Sequence, residues 1–337
     1  MINLEIPNKL KPLIEQAHVV GSAVFRPISR KYDRAEHSYP KELDMLAAVM
    51  DGFSEAGAGG GVSNVKQGSR DKSDKTVKNG ANMSTVLGMV ELCWGDIGLA
   101  LSIPRQGLGN AAVAAVATPE QKARWGQVWA AMAITEPGAG SDSAAIRTTA
   151  RLEGNEWVIN GEKIYVTAGE RATAVVVWAT LDRNMGRAAI KSFFVPKGSP
   201  GMQLVRLDKK LGIRASDTAV LSFNDCRIPK DNILGSPEID TKKGFGGVMQ
   251  TFDNTRPIVA AMALGVARAS LEVTETFLKE AGVDTRMRGS RWTQHAATAE
   301  LHRMKAELEA ARLLTLKAAW MADNGIPNSV EASMAKA

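Results

Sequence analysis

Over the first 129 residues apolar side chains recur mostly at helical spacing, as in Leu43, Leu46, Ala47 and Met50 and again in Val86, Val90, Leu92 and Cys93. This period predicts a helical domain over residues 1–129. It lapses at residues 56–79, where Gly59-Gly60-Gly61 opens a polar, charge-rich stretch that reads as a mobile surface loop. No Lys-Ser/Thr pair follows those glycines at phosphate-loop spacing. Between residues 130 and 240 the pattern changes to short β-rich runs separated by Gly, Pro and Asp. Trp157-Val158-Ile159 and Ile164-Tyr165-Val166 flank Asn160-Gly161 and predict a strand, a two-residue turn and a strand, because Asn-Gly supplies the positive φ angles of a tight hairpin. Ala174-Val175-Val176-Val177-Trp178, Ser192-Phe193-Phe194-Val195 and Ala219-Val220-Leu221-Ser222-Phe223 extend this middle β domain. Helical spacing returns over residues 241–337, with one long apolar helix from Arg256 to Phe277 and another from about Thr293 to Asp323, whose Glu300, Arg303, Glu307 and Arg312 form a solvated face. The order helical, β-barrel-like, helical is an α+β architecture. The last domain looks incomplete, with the final residues reading as the start of another helix.

Length and composition change this picture little. A chain of 337 residues with 45% hydrophobic and 23% charged residues is ordinary soluble protein of two or three domains. The net charge of +6 favours an anionic ligand. Nucleic acid is disfavoured, since basic residues cluster only at 66–78 and 286–291 and aromatic residues for stacking are few. Cys93 and Cys226 stand alone and the four histidines, His18, His37, His295 and His302, are dispersed, so no metal site or disulfide framework is indicated. The N-terminus has no leader-like pattern and no uninterrupted apolar run reaches membrane-spanning length, which together predict a cytoplasmic protein. Gly107-Leu108-Gly109-Asn110-Ala111-Ala112 fits a loose dinucleotide fingerprint but lacks a βαβ setting and a following acidic residue, so it is rejected.

The most distinctive stretch is Ala133-Ile134-Thr135-Glu136-Pro137-Gly138-Ala139-Gly140-Ser141-Asp142-Ser143-Ala144-Ala145, a turn-rich segment carrying hydroxyls and carboxyls at the end of an apolar run. Together with Asn160-Gly161-Glu162-Lys163-Ile164-Tyr165-Val166-Thr167, Gly212-Ile213-Arg214-Ala215-Ser216-Asp217-Thr218 and Phe252-Asp253-Asn254-Thr255-Arg256-Pro257, it resembles the acyl-CoA dehydrogenase family in motif order and spacing. The resemblance implies FAD as cofactor, an acyl-CoA substrate oxidised to the 2,3-enoyl thioester, and electron-transfer flavoprotein as electron acceptor. It also implies a homo- or hetero-oligomer, dimer or tetramer. By the same resemblance Met132, Ile134, Thr135, Gly140 and Ser141 line the flavin, Tyr165, Val166 and Thr167 stack on it and reach its N5 side, and Ser141, Asp253, Asn254, Thr255 and Arg256 meet the substrate. Arg256 is the supporting catalytic residue.

Two departures from the family pattern stand out. The chemistry needs a carboxylate to take the α-proton of the thioester, and one of the two family positions for it holds Thr255 here, while the other would fall beyond Ala337; the base is therefore expected outside this chain. The family's Arg-x-x-Phe-Gly stretch, which reaches the neighbouring subunit's flavin, is replaced by residues 279–289, where Arg286 or Arg288 could substitute. Two other readings stand beside the enzyme: a non-catalytic structural subunit of a heteromeric dehydrogenase, and a flavin monooxygenase or oxidase on the same fold.

Overall fold

The computed structural model describes residues 4–55, 80–104, 108–239 and 246–337; the loop expected at 56–79 lies outside them. In chain order the elements are α1 (Lys11–Val19), a π-helical turn (Val20–Phe25), α2 (Arg26–Arg34), α3 (Glu42–Glu55), α4 (Ala81–Gly95), α5 (Ile97–Ala100), α6 (Leu108–Val116), α7 (Pro119–Trp125) and β1 (Ala130–Ala133). There follow β2 (Thr149–Glu153), β3 (Glu156–Thr167), β4 (Ala174–Thr180), β5 (Ile190–Pro196), β6 (Met202–Leu207), β7 (Thr218–Pro229), α8 (Gly246–Glu280), α9 (Ala296–Asp323) and α10 (Ser329–Lys336). They fall into two compact units, one holding residues up to 30, 80–100 and 253–337, the other residues 31–55 and 101–252.

The second unit is built on a seven-stranded sheet ordered β1-β4-β2-β3-β7-β6, with β5 on the other flank of β4. β4 is buried on both faces, which is why its sequence is continuously apolar rather than alternating. Val175, Val177 and Ala179 enter one core with Trp157, Ile159, Phe193 and Phe223. Ala174, Val176 and Trp178 enter the other with Phe194 and with Ala112, Val113 and Trp125 of α6 and α7. α6 sits hard on β1: a Cβ at Gly109 would lie 2.2 Å from the Ala131 carbonyl oxygen, so only glycine allows this approach. The glycine of the rejected dinucleotide fingerprint is thus a helix–strand packing residue.

The expected hairpin at Asn160-Gly161 is not formed. The turn is at Gly154-Asn155, and β3 runs unbroken from Glu156 to Thr167. The Asn160 amide is taken up by Asp225 on β7, donating to its carboxylate at 3.0 Å and accepting its backbone N–H at 2.8 Å across a register shift. Gly161 is required by crowding, since a Cβ there would sit 2.8 Å from Thr148 Cα. β1, β2 and β6 carry no sequence signal strong enough to have been expected.

In the first unit α4 is gripped on several sides. Asp323 at the end of α9 accepts the backbone N–H groups of Asn82 and Met83, at 2.8 and 3.0 Å, satisfying donors that the start of α4 would otherwise leave orphaned. Glu91 receives Arg268 of α8 through two 2.6 Å bonds and His18 of α1 at 2.9 Å. α8 is longer than its apolar stretch predicts, starting at Gly246 and carrying Pro257 internally. Its portion Thr251–Glu280 is long and apolar enough to cross a membrane by length and composition alone, with an 18-residue window of mean hydropathy 1.3, where no uninterrupted apolar run of membrane-spanning length was expected. It packs on α4, where a Cβ at Gly265 would meet the Val90 carbonyl at 2.4 Å. α9 begins at Ala296 rather than Thr293, and Glu300, Arg303 and Glu307 form its expected exposed ion pairs.

Candidate functional site

The chain leaves β1 at Ile134 and closes a tight turn over residues 136–139 through reciprocal backbone bonds between Glu136 and Ala139, at 3.0 and 3.1 Å. Pro137 and Gly138 are exposed on this turn, while the Glu136 side chain points inward and is 7% exposed. Its carboxylate accepts the backbone N–H groups of Arg147 and Thr148 at 2.6 and 2.9 Å and the ammonium of Lys163 at 2.7 Å. Lys163, on β3, is fully buried and also donates to the Ile134 carbonyl at 3.0 Å. The next residue, Ile164, donates its N–H to the Thr135 carbonyl at 2.9 Å. Two successive residues of β3 thus hold three successive residues of the loop. Burial alone would push the Glu136 carboxyl up, but Lys163 and the N–H donors outweigh it and hold it below the usual range. Burial draws the Lys163 ammonium down to about 8 against the opposing pull of Glu136.

Beyond Lys163, β3 bulges. Pairing with β7 steps from Lys163 opposite Leu221 to Val166 opposite Ala219, so two residues of β3 face one of β7. Tyr165 adopts φ 57°, the left-handed region rarely used by a bulky residue, and its ring stands 65% exposed. Val166 turns back into the sheet core and is fully buried. Thr167 is half-buried, as are Met132 and Thr135, while Gly140 and Ser141 are exposed. Among the described residues, none of the hydroxyls of Thr135, Ser141, Tyr165 and Thr167 is engaged by another protein group. Thr135 and Tyr165 are brought together by the Ile164 bond, so the loop and the bulge form one lip carrying unspent hydrogen-bonding groups and an aromatic face.

Family models match two stretches of the chain: acyl-CoA dehydrogenase, middle domain, over residues 131–226, and acyl-CoA dehydrogenase, C-terminal domain, over residues 242–337. The chain belongs to the acyl-CoA dehydrogenase family. It is 42% identical over 226 residues to the mitochondrial short-chain specific acyl-CoA dehydrogenase of Bos taurus, an alignment covering 65% of this chain and 53% of that protein. Against the short-chain specific acyl-CoA dehydrogenase of Clostridium acetobutylicum it is 37% identical over 229 residues, 65% of this chain and 58% of the other. The chain spans about half the length of the curated relatives it matches. The solved butyryl-CoA dehydrogenase of Megasphaera elsdenii shares the fold with a TM-score of 0.82 at 27% identity, covering 99% of this chain and 84% of that one.

Of the residues expected to line a flavin, Thr135 and Tyr165 flank the Ile164 bond, Thr167 follows on β3, and Gly140 and Ser141 follow the 136–139 turn on the loop. Ile134 and Val166 face the two cores, so only their backbone groups are available to a ligand, and the Ile134 carbonyl is already taken by Lys163. Grooves of 320 and 490 Å³ share Arg147 and Arg183, and none of the expected cofactor residues lines either. The residues expected to meet substrate on α8 belong to the other unit. There Asp253 and Arg256 pair at 2.7 Å, one turn apart, and Ser329 also donates to Asp253. Thr255 is 6% exposed, and Asn254 is helical with its side chain outside the described set. Arg286 and Arg288 both pair with Asp284 in an exposed turn. No cluster of three or more metal-ligating side chains occurs among the described residues.

Sequence reasoning passed over two buried ion pairs. One is Glu136 with Lys163; the other is Arg171, which approaches Asp217 at 3.4 Å and donates to the carbonyls of His37, Ser38 and Ala215 and to the Ser102 hydroxyl. Glu136, Lys163 and Asp217 all lie inside the motifs that carry the family resemblance. A charged residue fixed within an otherwise apolar strand was the signal available.

Proposed function

We propose that this chain binds FAD at the lip of Thr135, Ser141, Tyr165 and Thr167 and serves in oxidising a short-chain acyl-CoA to the 2,3-enoyl thioester. The observation that carries the reading is the set of four hydroxyls without intramolecular partners, arranged on a loop and a bulge that are each fixed from beneath. Those groups suit a flat, polar-edged ring system: the Tyr165 face stacks, and the hydroxyls of Thr135 and Thr167 donate to ring edge atoms. FAD, when bound, supplies the acceptor for the hydride leaving the thioester β-carbon. Short-chain preference is supported by the relatives at 42% and 37% identity. Electron-transfer flavoprotein as acceptor, and assembly as a dimer or tetramer with itself or a related subunit, are parts of the same reading.

Proton abstraction is the step for which residues 253–256, near the start of α8, offer no free carboxylate. Thr255 is a hydroxyl, and Asp253 is already engaged by Arg256 and Ser329. This favours a second reading, in which the chain keeps the fold and a flavin site while a companion polypeptide brings the carboxylate. Purified protein should carry a yellow flavin spectrum under either reading. Anaerobic bleaching by butyryl-CoA separates them: bleaching of the chain on its own supports a complete enzyme, and bleaching only after a companion subunit is added supports the second. A protein that neither retains nor rebinds FAD refutes both.

A further inference from the structure

A buried ion pair is a poor way to stabilise a fold, because the cost of removing both charges from water roughly cancels their attraction, and apolar residues of similar volume commonly serve as well. The pair beneath the lip therefore calls for a use other than stability. Its connections are specific. Lys163 Nζ donates to the Ile134 carbonyl and to Glu136, Glu136 accepts the N–H groups of Arg147 and Thr148, and Ile164 donates to the Thr135 carbonyl between them. Hydrogen bonds have distance and angle requirements that apolar contacts lack, so this network fixes the residues on either side of Thr135 in register with the Tyr165 bulge.

We propose that Lys163 and Glu136 are positioning residues for the cofactor, holding the Thr135 hydroxyl and the Tyr165 face at the separation that FAD requires. This rests on the reading that the lip binds FAD. Neither side chain reaches the ligand: Lys163 is fully buried and Glu136 nearly so, and both act through the backbone they hold. Because the effect is geometric, it appears as coupling. The Thr135 hydroxyl is useful to FAD only while the pair keeps it in place.

The test is a thermodynamic cycle on FAD affinity, measured by fluorescence quenching on apoprotein of the whole chain. Lys163→Met alone leaves a buried carboxylate unpaired and can prevent folding. The working variant is therefore Lys163→Met with Glu136→Gln, which removes both charges while the Gln carbonyl keeps an acceptor for one of the Arg147 and Thr148 N–H groups, which the carboxylate receives on separate oxygens. This double variant is expected to unfold cooperatively like the parent, to bind FAD at least tenfold more weakly, and to lose hydrogen-exchange protection at the Ile164 amide. Thr135→Val should weaken FAD about five- to tenfold in the parent and less than twofold in the double variant. Parent-like FAD affinity in the double variant, or the same Thr135→Val effect in both backgrounds, overturns the positioning role. If the parent itself ignores both Thr135→Val and Ser141→Ala, the lip is not the flavin site, and that failure is recognisable because it occurs with Lys163 and Glu136 intact.

Discussion

Tyr165 allows the cost of building the lip to be measured apart from its use. An L-residue in the left-handed region pays roughly 1–2 kcal/mol that glycine does not, and Tyr165 sits there at φ 57°. Its ring is 65% exposed, so little packing is lost when it is removed. Tyr165→Ala keeps the strained backbone, whereas Tyr165→Gly releases it and gives back about 0.4–1 kcal/mol through a more flexible unfolded chain. Tyr165→Gly should therefore be more stable than Tyr165→Ala by about 0.5–1 kcal/mol, in urea unfolding of flavin-free protein. Flavin must be absent, since ligand adds stability by mass action. The ring face is worth about 0.5–1.5 kcal/mol in stacking beyond its buried area, and covering some tens of Å² adds about 1 kcal/mol. Both variants should then bind FAD roughly 30-fold more weakly. A glycine variant less stable than the alanine variant would show that Tyr165 is not strained, and FAD affinity within twofold of the parent in both would remove the ring from the site.

The other expectations are more local. Thr135→Val with Ser141→Ala should lower the flavin content of purified protein several-fold with little change in melting temperature; an unchanged spectrum and stoichiometry would contradict the assignment. Arg256→Gln breaks a pair one helical turn long, worth about 0.5 kcal/mol, so turnover at matched flavin occupancy, measured with a companion subunit supplying the base, should fall tenfold or more while stability shifts by less than about 1 kcal/mol. Burial alone would raise the Glu91 carboxyl, but Arg268 and His18 hold it below the usual 4.5, so its contribution is complete above that pH and is lost as pH falls through the lower folded value. Arg268→Met should cost about 3 kcal/mol at pH 7 and flatten the acid limb of the stability curve. Flavin-loaded residues 1–337 should not bleach with butyryl-CoA, because Thr255 has no basicity near neutral pH, and Thr255→Glu should introduce slow bleaching; rapid bleaching of the unaltered chain would reveal a base elsewhere in it.

Much of the architecture was legible because it rests on periodicity. The helical regions, the fully apolar β4 and the strands containing Phe193 and Leu221 announce themselves by which residues are apolar and at what spacing. The errors came where local chemistry has two outlets. Asn160-Gly161 is a good turn dipeptide, but here the Asn amide is satisfied by Asp225 and the Gly is demanded by the Thr148 backbone, so the same two residues serve a bulged strand. The site was legible as a set of motifs, and those motifs contain the unpartnered hydroxyls of Thr135, Ser141, Tyr165 and Thr167. They could not say which members face inward. Ile134 and Val166 belong to the sheet cores, and the charged residues between them, Glu136 and Lys163, are the buried ones.

That inversion follows from strand geometry. In a regular strand, residues two apart share a face and residues three apart do not. Lys163 must be inside to reach the Ile134 carbonyl and Glu136, and Val166 must be inside to fill the core beside Ala219 and Val175. These positions differ by three. A regular strand can bury one of them or the other, and whichever it buries, Tyr165 follows Lys163 to the same side. The extra residue of the bulge removes the conflict: it lets Lys163 and Val166 both point inward and leaves Tyr165 outward, with the left-handed φ at Tyr165 absorbing the change of phase. The inward placement of both Lys163 and Val166 and the strained, outward tyrosine therefore go with one backbone irregularity. The strain at Tyr165 is the cost of having a charged anchor beneath the lip and an aromatic face upon it.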